Sequence, residues 1–163
     1  MKTYYLLSLM LVSAFSVQAQ TVLSSTSFEL RKPVEEQQLL SAEHPENGDF
    51  YVFASDRNRI ITFKYNSALF LRDSLSSVRP NSNFSNLVGY SFSDRTAYTY
   101  WASEDFTRIM GVGHNLENRA VSSTVFAYSY DKDTFVNAFS QDGSFYLVTV
   151  ADEKDQLNIS IFK

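Results

Sequence analysis

From Phe50 onward the chain is built of runs of five to eight residues rich in Phe, Tyr, Val, Ile and Thr, divided by clusters of Asp, Ser, Asn, Arg and Gly. β-Branched and aromatic side chains suit a pleated, packed surface, and the short polar clusters suit tight turns, so this texture points to strands. Ten are expected: Phe50 to Ser55, Arg59 to Tyr65, Leu69 to Leu75, Leu87 to Ser93, Thr96 to Ala102, Phe106 to Val112, Thr124 to Tyr130, Thr134 to Phe139, Phe145 to Val150 and Leu157 to Phe162. No long segment carries apolar residues at i, i+3, i+4 and i+7, which argues against a helical core. The expected class is all-β.

The runs repeat. Ser55-Asp56-Arg57 recurs as Ser93-Asp94-Arg95 at an offset of 38, and Tyr130-Asp131-Lys132 follows at a further 37. In each place one apolar strand precedes the Asp and a second follows, then a further polar turn and a third strand, which describes an antiparallel meander. Asp56, Asp94, Asp131 and, in the later turn, Asp142 are read as turn residues, because a carboxylate there accepts hydrogen bonds from nearby backbone amides. A metal or catalytic role for them is the competing reading.

Strand faces add a second constraint. Phe50, Val52 and Ala54 alternate with Tyr51 and Phe53, so both faces of that strand are apolar, as are those of Thr124 to Tyr130 and Phe145 to Val150. Such strands belong in sheets covered on both sides. Leu157-Asn158-Ile159-Ser160-Ile161 alternates strictly and reads as an edge or outer strand with one wet face.

Taken together, three strand–turn–strand–turn–strand blocks of about 38 residues resemble β-propeller repeats over roughly Asp49 to Lys163. Ser140-Gln141-Asp142-Gly143-Ser144-Phe145 is similar to the Ser-x-Asp-Gly turns, followed by an aromatic, found between propeller strands. The Trp-Asp dipeptide, the Gly-His pattern and the Kelch-type double glycine are absent, so no subtype is implied. A closed propeller uses four to eight blades, and three leave an open arc with two apolar faces to be covered by further repeats, a partner or a second copy. A β-sandwich is the alternative fold.

Ahead of these repeats stand two other regions. Residues 1–19 read as a signal peptide: Lys2 is followed by an apolar run from Tyr4 to Phe15, and Val17-Gln18-Ala19 offers a cleavage site before Gln20. Export to a periplasmic or extracellular space is expected, with no transmembrane segment in the mature chain; an uncleaved N-terminal anchor is the other reading. Residues 20–48 are a polar N-terminal segment, in which Pro33 to Ala42 suits either a helical turn or a linker or outer strand.

Composition narrows function mainly by exclusion. A net charge of −4 without a basic tract argues against nucleic acid, and zero cysteines exclude disulfides and thiolate chemistry. Nucleophile-elbow, phosphate-loop, dinucleotide and zinc-protease motifs are absent, and no cofactor is expected. Gly111-Val112-Gly113-His114 lacks the third glycine of a nucleotide loop and reads as a strand end, while His44 and His114 stand 70 positions apart. Asp131, Asp133, Asp152, Glu153 and Asp155 fit no calcium-loop spacing, and the Asn83 and Asn158 glycosylation patterns are frequent by chance.

Aromatics make up 15% of the chain, with Tyr98, Tyr100 and Trp101 gathered in one strand. Such side chains suit a blade core or a ligand surface. The resulting expectation is a non-catalytic binding or scaffolding module that meets a protein or glycan partner, or another copy, through exposed blade faces. The alternatives are a hydrolase of an extracellular polymer, with Asp105 or Glu104 beside Trp101, and an inactive fragment of a larger propeller.

Overall fold

A computed structural model describes residues 22–25, 27, 38–127, 133–153 and 156–163. They form eleven strands and, among the described residues, no helix. The order is β1 (Gln38–Glu43), β2 (Phe50–Ser55), β3 (Arg59–Tyr65), β4 (Leu71–Val78), β5 (Asn86–Ser93), β6 (Thr96–Ala102), β7 (Arg108–Asn115), β8 (Ala120–Ala127), β9 (Asp133–Gln141), β10 (Ser144–Glu153) and β11 (Gln156–Phe162). Chain neighbours pair antiparallel in three meander sheets, β1-β2-β3-β4, β5-β6-β7-β8 and β9-β10-β11. The chain is all-β.

One expectation changes. The period is longer than 38: β2, β6 and β10 begin at residues 50, 96 and 144, and β3, β7 and β11 at 59, 108 and 156, so the unit recurs every 46 to 49 residues. Asp56 follows the second strand of its sheet and Asp94 the first strand of the next, so the shared tripeptide marks two different turns. β1 decides between the readings left open for its segment: it is an outer strand, not a helical turn. Its Leu40 and Ala42 stand opposite Phe53 and Tyr51, and that alternation draws the segment into the sheet.

The second sheet lies between the other two. Toward the first sheet it turns Ala97 and Leu116, which cluster with Tyr51, Phe53 and Leu75. Trp101, Val112 and Phe84 cluster with Ile60 of β3 on the same seam. Toward the third sheet it turns Tyr100, whose ring stacks on Phe145 at 4.1 Å between centroids. Phe106 and Phe135 stack across the same seam at 4.4 Å.

The first hairpin tips of the three sheets converge. Phe92 N–H of β5 donates to the Gly143 carbonyl at 2.8 Å, and a Cβ on Gly143 would lie 2.8 Å from Pro45 Cγ. His44 packs its ring 4.8 Å from that of Phe92. Asp94, Asp142 and Gly143 take left-handed backbone, with φ of 50°, 48° and 71°. Consecutive positive φ at Asp142-Gly143 is the two-residue hairpin turn that matches strand twist.

Candidate functional site

Trp101 is completely buried between the first and second sheets. Its indole N–H donates to Thr99 Oγ1 at 3.0 Å, and the Arg79 guanidinium lies 5.1 Å from its ring centroid. Of the two roles open to it, the structure places it in the core. Tyr98 and Tyr100 are half-buried on the opposite face of β6. They lie over glycines of β7: a Cβ on Gly113 would come 2.7 Å from Tyr98 Cε1, and one on Gly111 3.3 Å from Tyr100 Cε1. Gly111 and Gly113 are therefore mid-strand floors for aromatic rings, not a strand end. Tyr100 also shares a 2.8 Å hydroxyl bond with Ser91.

The turn aspartates divide. Asp56 is fully buried, and its Oδ1 accepts from the amides of Asn58 and Arg59, each at 2.9 Å, while Oδ2 meets Arg59 Nε at 2.8 Å. Burial alone would raise its pKa, but those hydrogen bonds outweigh it and hold the carboxyl below its ordinary value. Asp94 and Asp142 serve instead through left-handed backbone. Asp131 lies outside the described residues. Among the described residues no group of three His, Cys, Asp or Glu side chains could hold a metal ion.

A polar cleft of about 330 Å³ is lined by Ser82, Asn83, Ser103, Glu104, Asp105 and Arg108. Here Asp105 Oδ1 accepts from Ser103 Oγ at 2.6 Å, Thr107 Oγ1 at 2.9 Å and Thr107 N–H at 3.2 Å. Those bonds, led by that from Ser103, hold its pKa at about 2. A general acid needs the opposite shift. Glu104 and Asp105 share the cleft, but Trp101 is sealed in the core rather than set beside them.

His44 and His114 have separate surroundings. The buried His44 accepts a 3.3 Å bond from Glu46 N–H at Nδ1. His114 is fully buried, with Nε2 2.7 Å from Ser77 Oγ across the first seam. Desolvation drives its pKa down to about 4, offset in part by the neighbouring Ala97 carbonyl, so the ring is neutral at pH 7. Among the described residues Nδ1 makes no bond of good geometry, and no carboxylate orients the ring as a serine hydrolase would require. Ser77 lines an apolar groove of about 480 Å³ with Val78, Arg79, Met110, Val112 and Val121.

The third sheet presents a different surface. Register places Ile60 opposite Ser55, Ile109 opposite Ala102 and Ile159 opposite Val150, equivalent sites on the third strand of each sheet. Ile60 and Ile109 are 0% exposed, whereas Ile159 is 67% exposed. Ile161 beside it is 65% exposed. With Val148 and Val150 of β10, Tyr146, and Phe139 stacked 5.3 Å from Tyr146, these residues form one continuous apolar face.

The sequence marked β11 as an edge strand but put its apolar side inward. The strand is at the edge, and its isoleucines face outward because no further sheet stands against them among the described residues. The signal that finds this face is the 48-residue period: Tyr146 and Val148 are the counterparts of Tyr98 and Tyr100, the pair that receives the next sheet. Among the described residues no helix is long and apolar enough to cross a membrane. No protein-family model, curated protein or solved structure matches this chain.

Proposed function

We propose that the chain is an exported, non-catalytic binding or scaffolding module made of propeller-like sheets, and that it docks the apolar face of another antiparallel β-sheet on the bare face of its third sheet. The observation that carries this is the burial of Ile60 and Ile109 against the exposure of their equivalent Ile159. Twice in this molecule the same face is closed by the next sheet, so the same chemistry at the third is a place for a third such contact. Contiguous exposed apolar surface rimmed by polar residues is characteristic of interaction sites. Convergent hairpin tips and successive stacked meanders support the propeller-like arrangement over a two-layer sandwich. The polar cleft gives the hydrolase alternative little support, since its Asp105 is locked into a turn as a strong acid.

Ile159→Asp with Ile161→Asp tests this reading. Surface substitutions change stability by about 0.5 kcal/mol or less, so the unfolding midpoint should hold while binding of an apolar dye falls severalfold. Unchanged dye binding, or loss of the fold, would overturn it. Hydrolysis of a polysaccharide that disappears in Asp105→Asn would put the enzyme in its place.

A further inference from the structure

The third sheet also has an open edge. The first and second sheets each end in a fourth strand, β4 and β8, whereas β11 has a partner only in β10 among the described residues. From Gln156 to Phe162 it carries no charge and no proline, the usual devices that keep an edge from pairing. A strand added there would complete the sheet and extend its bare face. The fourth strand of the second sheet has a recognisable run, Val121-Ser122-Ser123-Thr124-Val125-Phe126, which the charged β4 lacks. One other stretch of the chain repeats that pattern, Leu23-Ser24-Ser25-Thr26-Ser27-Phe28.

In the single chain the residues that open this stretch stand at the other end of the molecule from β11: Val22, Leu23 and Ser24 line a cavity of about 410 Å³ with Phe50, Val52, Tyr65 and Leu69 of the first sheet, and Val22 and Leu23 stay largely exposed there. We infer that the stretch is a donor strand for a second copy of the chain, adding antiparallel to the partner copy's β11. The inference rests on the bare third-sheet face being a docking surface. A segment that starts beside one copy's first sheet and pairs with another copy's third would bring those two apolar faces together. Main-chain hydrogen bonds to an open edge supply affinity, and alternate side chains supply register.

That register is specific. In the second sheet Ile109 stands opposite Phe126 and Met110 opposite Val125. Ile159 and Ser160 are the counterparts of Ile109 and Met110, which sets Ile159 against Phe28 and Ser160 against Ser27. Head-to-tail contacts of this kind do not use one patch twice, so they yield rings or filaments rather than twofold dimers.

The chain has no cysteine, so introduced thiols report contacts cleanly. Full-length chains carrying Ser27→Cys and isotope-labelled chains carrying Ser160→Cys are mixed and oxidised, with Ser82→Cys replacing Ser160→Cys as the control. Facing strand residues lie within disulfide reach, so the 27–160 cross-link should form at about tenfold the control yield, and excess synthetic peptide of residues 21–30 should suppress it. Yield equal to the control, or equal suppression by a scrambled peptide, overturns the donor strand. If the dye still leaves the face in Ile159→Asp with Ile161→Asp while that cross-link is absent, the docking face stands and only its occupant is wrong. If neither responds, both fall.

Discussion

The two seams between sheets hold together by different means. Between the first and second sheets, Phe53, Ile60 and Trp101 are sealed from water in a mostly apolar volume, crossed by the buried His114–Ser77 bond. Between the second and third, rings sit in notches. Phe145 stacks on Tyr100 above Gly89, and Ser140 Oγ both accepts from Tyr90 N–H and donates to Tyr90 C=O, each at 2.7 Å. The first kind of seam tolerates a change of shape if volume is kept, because dispersion and burial are not directional. The second depends on the absence of a single methyl group. The first seam should therefore govern global stability, and the second the attachment of the sheet that carries the bare face.

Truncating Trp101 tests the volume seam most severely. Trp101→Ala should cost about 3–5 kcal/mol, the range for a fully buried aromatic, and lower both secondary-structure signal and apolar dye exclusion in one transition. A loss below about 1 kcal/mol would mean that the seam is not the keystone of the fold. Acid acts on the same seam through His114. The unfolded ring takes a proton near 6.5 and the buried ring only near 4, so the unfolded state binds more protons between those values. Stability is full above about pH 6.5 and falls as the pH drops toward 4, by roughly 3 kcal/mol in all. Urea midpoints from pH 7 to 4 should show that slope in the native chain and not in His114→Gln. The Asp56 carboxylate, held below its ordinary 3.8, contributes stability that is lost only at still lower pH, so the two groups separate along the axis.

How much of this was legible depended on whether a feature is local. Strand identity was local: Phe50–Ser55, Arg59–Tyr65 and Thr96–Ala102 have the ends expected from composition alone. The turn role of Asp56 was local too, since its acceptors' donors lie two and three residues away. The repeat length is not local, because a tripeptide can recur in turns of different rank, and only pairing order reveals rank. Ser77 against His114 spans 37 positions and two sheets, which no spacing rule reaches. The bare face lay in between. Its alternation was visible, but which side of an apolar strand meets water is decided by whether a neighbouring sheet exists.

Gly89→Ala separates the two seams at the smallest cost. A Cβ there would lie 2.6 Å from Phe145 Cδ2, 2.7 Å from Cε2 and 2.8 Å from Ser140 Oγ. The ring cannot swing aside freely, because Phe145 is buried and stacked on Tyr100. Replacing Gly by Ala gains about 0.4–1 kcal/mol from the unfolded chain, but forcing a methyl into a packed contact costs about 1–3 kcal/mol, so the net change is a loss. That loss belongs to the third sheet. Trp101 is the only tryptophan and reports the other seam, so its fluorescence transition should stay near the native midpoint while amides of β9 and β10 exchange faster with solvent. A matching shift of the Trp101 transition would show that the seams melt as one unit. An unmoved exchange rate would show that the notch is not what holds the third sheet.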